Sequence, residues 1–166
     1  MFKVHTVLAI AGMAALAGAA VAQPPPPGQQ PPAAATKPLK VAAVASDVIT
    51  MVEAPLAAPK APFEHWEWAF NARPLTMGQT TYDVTASRVK VDCGAGTRRT
   101  LYVDVFMGTA LIGRSNVNDT PTRPPKGSIA EGAQEVVCGA VDVSTSRAYA
   151  TVAEAYAAAK SHFARK

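Results

Sequence analysis

The chain has 166 residues, 49% hydrophobic and 17% charged, which suits one domain with enough apolar side chains for a core and excludes disorder throughout. Its formal charge of +4 is diffuse, because from Phe63 onward 12 basic side chains stand against 10 acidic ones. Such a balance offers no clustered basic face, so nucleic acid is excluded as a partner.

At the start, Lys3 precedes an uncharged run from Val7 that closes with Ala20-Val21-Ala22. A basic start, an apolar stretch and small residues that fit a peptidase cleft are the three parts of a secretory signal. The run falls short of the roughly 20 strongly apolar residues that span a bilayer. Residues 1–22 are therefore expected to be a signal peptide cleaved after Ala22, leaving a periplasmic or secreted protein without stable membrane insertion. No cysteine lies near the cut, which disfavours a lipid anchor.

Residues 23–62 read as a Pro/Ala-rich linker, largely disordered, and seven of the 14 prolines fall between Gln23 and Pro38. Within it Lys40 to Val52 is more apolar, but its periodicity does not choose between strand and helix. Pro55, Pro59 and Pro62 end that stretch, so the folded domain is expected over 63–166.

Trp66, Trp68 and Phe70 alternate with Glu67 and Ala69, the period of two that lines three aromatics along one strand face. That face supplies the core, or, if exposed, forms a candidate binding face for a partner or a flat hydrophobic ligand. After an expected break at Arg73-Pro74, Thr80 to Cys93 again has strand character. Its apolar phase slips between Ala86 and Val89, which predicts a bulge or turn near Ser87. Arg99 to Met107 alternates as a further strand, and Gly108-Thr109 turns it into Ala110 to Ser115 as a hairpin. A polar, proline-bearing loop runs from Asn116 to Gly127.

Ser128 and Glu131 have capping-box spacing, predicting a short helix to about Cys138. Val141 and Val143 suggest a short strand or extended connector. Thr151 and Glu154 form a second capping box, although Ser144 to Ser146 offer an earlier start. Val152, Ala155, Tyr156, Ala159 and Phe163 make one buried helical stripe, with Glu154, Lys160 and Arg165 facing away. The fold class expected is α+β, a small antiparallel β-sheet with C-terminal helices and one disulfide.

Cys93 and Cys138 are the two cysteines, and export to an oxidising compartment makes their pairing the default. No histidine or third cysteine stands at ligand spacing to either, so no metal is expected. Gly94-Ala95-Gly96 lacks the third glycine and the following helix of a nucleotide fingerprint, and reads as a turn with no cofactor. His65 and His162 have no metal-binding partner, Arg98-Arg99 reads as a solvated pair, and Asn118-Asp119-Thr120 matches a glycosylation triplet. No Gly-x-Ser-x-Gly elbow or local carboxylate pair marks an enzyme.

A strand ending in Cys93, then Arg98-Arg99, Val103-Asp104-Val105-Phe106, Gly108, Pro125, Gly127-Ser128-Ile129-Ala130 and Val137-Cys138 follow an order that resembles the bacterial surface-adhesin protein E family. The resemblance covers Tyr82 to Gly139. It implies a small α+β domain, a bridge between the two cysteines, a homodimer, and binding of host matrix or serum proteins. The long proline-rich amino end, the extra carboxyl-terminal helix and the missing lipid-anchor cysteine depart from that pattern. Two functions follow from the sequence. One is an exported, non-catalytic binding or envelope-associated protein, adhesin-like, with a protein partner in the envelope or extracellular matrix. The alternative is a small periplasmic hydrolase or assembly factor without a recognisable motif.

Overall fold

A computed structural model describes residues 35, 37–53, 61–117 and 119–165. The expected signal 1–22, the proline-rich residues 23–34 and Asn118 of the glycosylation triplet lie outside them. The described chain winds as an antiparallel meander of β1 (Leu39–Val44), β2 (Val48–Glu53), β3 (Phe63–Met77), β4 (Thr80–Asp92), β5 (Thr97–Met107) and β6 (Ala110–Asn116). Helix α1 (Ile129–Val137), the two-residue β7 (Ala148–Tyr149) and helix α2 (Val152–Phe163) follow. The sheet has seven strands in the order β6-β5-β4-β3-β2-β1-β7.

Each face of the sheet carries one helix, and strand alternation decides which residues meet which helix. Trp66, Trp68 and Phe70 on β3, Ile49 and Met51 on β2 and Val84 and Ala86 on β4 pack with Ala155 and Ala159 of α2. On the opposite face Val52, Val89 and Val91 pack with Ala133, Val136 and Val137 of α1. The helices start where their capping boxes predict: Ser128 Oγ accepts from the Glu131 N–H, and Thr151 Oγ1 from that of Glu154.

Three expectations are corrected. The linker 23–62 ends earlier than expected, because Leu39–Glu53 forms a hairpin of the sheet, with Met51 opposite Trp68. β2 is buried along nearly its whole length, so its residues show no alternation to read. The strand also passes through Arg73-Pro74: Phe70 pairs with Val84 and Leu75 with Tyr82, so the intervening residues bulge out and proline is tolerated. The apolar phase change in β4 is a change of loaded face, since its ladder with β3 runs unbroken from Val84 to Val91. The irregularity lies against β5, between Arg88 and Val89. Of the two readings for Val141 and Val143, the connector holds and no strand forms there. Instead the Val143 carbonyl accepts from Lys40 Nζ at 2.6 Å, and the short strand comes later, at Ala148–Tyr149.

Candidate functional site

The aromatic row of β3 is core. Trp66, Trp68 and Phe70 are 7%, 1% and 0% exposed, so in this fold they present no binding face. Trp66 stacks edge-on against Tyr102 at 5.4 Å, and Trp68 meets Phe106 at 5.5 Å. Guanidinium groups lie on the rings: Arg88 over Trp66 at 5.7 Å and Arg114 over Tyr102 at 4.8 Å. Such cation–π lids shield aromatic surface from water while their own charge stays near it. Arg114 is held in place by the buried Asp104 carboxylate.

On the α1 face the same alternation turns His65 and Glu67 inward, two residues apart. His65 Nε2 lies 2.9 Å from Glu67 Oε1, and Arg98 donates to Glu67 Oε2 at 2.6 Å and to the Ala130 carbonyl of α1 at 2.9 Å. Burial alone would raise the Glu67 carboxyl, but the His65 hydrogen bond and the Arg98 charge together outweigh it and hold the group below its usual range. Arg98 is thus a structural tie between sheet and helix, whereas its neighbour Arg99 pairs across the ladder with Lys90. Nearby, Cys93 and Cys138 are disulfide-bonded with Cα atoms 5.6 Å apart, fastening the end of α1 to the β4–β5 turn. Gly94-Ala95-Gly96 is that turn, with Asp92 Oδ1 accepting from the Ala95 N–H and Gly96 at φ 66°.

The end of the sheet that carries the β1–β2, β3–β4 and β5–β6 turns is organised around Asp83. This buried carboxylate accepts from the Tyr156 hydroxyl at 2.7 Å, from the Gly108 N–H at 2.8 Å and from Lys160 Nζ at 3.0 Å. Lys160 also donates to the Asn71 carbonyl at 2.9 Å, so it does not face away from the body as the helical stripe suggested. Burial would raise the Asp83 carboxyl, but the Tyr156, Gly108 and Lys160 contacts lower it overall. The hydrogen bond to Asp83, followed by burial and the nearby negative charge, pushes Tyr156 up to about 12. One carboxylate therefore locks together α2, the foot of the β3–β4 hairpin and the β5–β6 turn.

What it positions is apolar. Beyond Asn71, where β2 stops pairing, β3 and β4 continue as a two-stranded arm paired from Leu75 and Tyr82 to Met77 and Thr80, about 10 Å at strand rise. Arg73 to Gln79 are exposed along it, Met77 at 60% and Leu75 at 45%. The adjoining β5–β6 turn exposes Met107, Leu111 and Ile112, and Val44 ends β1 at the same end of the sheet. Among the described residues these six stand against only Val117 and Val141 elsewhere as exposed large hydrophobic side chains. A groove of about 820 Å³ opens beside them, lined by Asp47, Arg73, Leu75, Lys160 and Phe163 among others.

None of this end was singled out from sequence as a site. Leu75, Met77, Met107 and Leu111 look like ordinary strand residues until the meander shows that their turns share one end. His162, half-buried on α2, contacts Phe163 edge-on, and among the described residues its Nε2 has no hydrogen-bond partner. Among the described residues no three His, Cys, Asp or Glu side chains are grouped to hold a metal ion, and no helix is long and apolar enough to cross a membrane. Compared with family models, curated proteins and solved structures, the chain matches none.

Proposed function

We propose that this chain is an exported, non-catalytic binding protein of the cell envelope, and that the turn end of its sheet makes the contact. The observation that carries this reading is the concentration of exposed Leu75, Met77, Met107, Leu111 and Ile112 on two neighbouring hairpins held by one buried carboxylate. Exposed apolar groups gathered at one place on a folded surface mark interaction sites more often than scattered ones do. Methionine suits such a surface because its flexible thioether adapts to irregular partners.

Export after cleavage at Ala22, to the periplasm or beyond, agrees with a Cys93–Cys138 bridge, since such bonds persist where thiols are oxidised. The resemblance of Tyr82 to Gly139 to surface-adhesin protein E points towards the same class of task. A photo-crosslinking side chain placed at Met77 or Met107 in the exporting cell tests the proposal. Crosslinks to envelope material should form from these positions and not from Val141, and material purified from the envelope should begin at Gln23. Equal crosslinking from all three positions, or none, would refute the assignment of the surface.

A further inference from the structure

We propose that the turn end seats on an anionic phospholipid bilayer without crossing it. The inference rests on the reading of this end as the contact surface and names what it touches. Three features favour a lipid surface over a protein pocket. The apolar groups sit on projecting turns, Met77 beside Gly78 and Met107 beside Gly108, with Gly78 and Gly108 both at φ 61°, rather than lining a concave slot. Convex, separate tips each need a soft medium that closes around them, and the interfacial zone of a bilayer provides one.

Second, the charges around the tips have the sign that such a surface attracts. Arg73 on the arm and Arg165 after α2 are exposed, and the segments 71–83, 106–116 and 160–165 contain one carboxylate, Asp83, which is buried and spent on Lys160. Asp47 in the β1–β2 turn is the exposed acid of this end, so the excess is small but positive. Third, the groove at the base of the arm places the exposed Arg73 beside Leu75 and Phe163, with Asp47 and the Asp83-paired Lys160 also on its wall. A guanidinium beside apolar walls matches a phosphate headgroup joined to an acyl chain, with the head held near Arg73 and the chain directed along the tips.

Seating is therefore expected to place Met77 and Met107 among the upper acyl carbons while the Cys93–Cys138 end stays in water. The full chain carries an apolar leader that itself partitions into lipid, so the test must read the turns and not bulk attachment. The variants Met77→Cys, Met107→Cys and Val141→Cys, each labelled with an environment-sensitive dye after the native disulfide is verified, are mixed with phosphatidylcholine vesicles with and without phosphatidylglycerol. Dyes at 77 and 107 should shift to the blue and be quenched by lipid-borne quenchers only when the anionic lipid is present, and the dye at 141 should not. Arg73→Ala should weaken that response about fivefold, the effect of one cation at an anionic surface. Dyes at 77 and 107 that remain in water on anionic vesicles overturn the lipid assignment. If those same positions still crosslink to an envelope protein in cells, the contact surface stands and lipid alone is wrong; if they do neither, both fall.

Discussion

Glu67 shows how much a single side chain in an aromatic strand can decide. With Trp66 and Trp68 turned to α2, Glu67 must point the other way, and there it meets His65 and Arg98 beneath α1. Removing one member of a buried ion pair strands the other, which typically costs 3–5 kcal/mol. Arg98→Met should therefore destabilise the fold by about 4 kcal/mol in chemical denaturation, and a loss below about 1 kcal/mol would show that the pair is not buried in solution. Trp68→Ala, which empties the site of the largest fully buried side chain, should cost about 4 kcal/mol. The polar groups also set the pH limits. Glu67 and Asp83 lie below their ordinary values of 4.5 and 3.8 when folded, so unfolding takes up protons in acid. Their stabilisation is complete above those values and is lost as pH falls through them toward the folded ones. Tyr156 moves from 10.0 to about 12 on folding, so its contribution is intact below pH 10 and disappears as pH rises towards 12. Thermal midpoints across pH should show both limbs, with Glu67→Gln flattening the acid side and Tyr156→Phe the alkaline side. The alternation that sends Glu67 inward was legible from Trp66-Glu67-Trp68, but its partner Arg98 was not, because 31 residues separate them and only the meander brings them together.

Among the elements, the helices were the most readable, because a cap is a local device. Ser128 with Glu131 and Thr151 with Glu154 mark both starts within one turn of chain. β5 and β6 were also legible, since alternating residues flank Gly108. The β1–β2 hairpin was hidden for a physical reason: Ile49, Thr50, Met51, Val52 and Glu53 are all buried, so the strand carries no polar face, and its turn, Ala45-Ser46-Asp47, has no glycine. The proline at 74 misled for the converse reason, since a bulge can absorb what a regular ladder would reject. Between the elements, the Cys93–Cys138 bridge closes a separation of 45 residues and should stabilise the native state by about 4 kcal/mol through the unfolded chain. Reducing it, or substituting Cys93→Ser with Cys138→Ser, should lower the denaturation midpoint by that amount while leaving the β5–β6 hairpin paired. Amide exchange read separately for α1 should accelerate most, and unchanged α1 protection would mean that the Arg98 tie and the packing on Val52, Val89 and Val91 hold the helix without the bridge.

At the scale of the molecule, the meander sorts its ends. One end is fastened by the disulfide and the Arg98 tie; the other gathers three turns, the end of α2 and most of the exposed apolar side chains around Asp83. The candidate surface was illegible in sequence because its members lie in separate hairpins, each with the same alternation as a core strand. Which apolar residues reach water depends on how far β3 and β4 outrun β2, and that is a property of register. The central claim is that this end is where the protein meets its partner. Amide hydrogen exchange of the full chain, alone and with native envelope vesicles, tests it most directly. Protection should rise across 73–82 and 106–112 while the 93–96 turn stays unchanged. Protection centred on the disulfide end, or a uniform profile with and without vesicles, would contradict it.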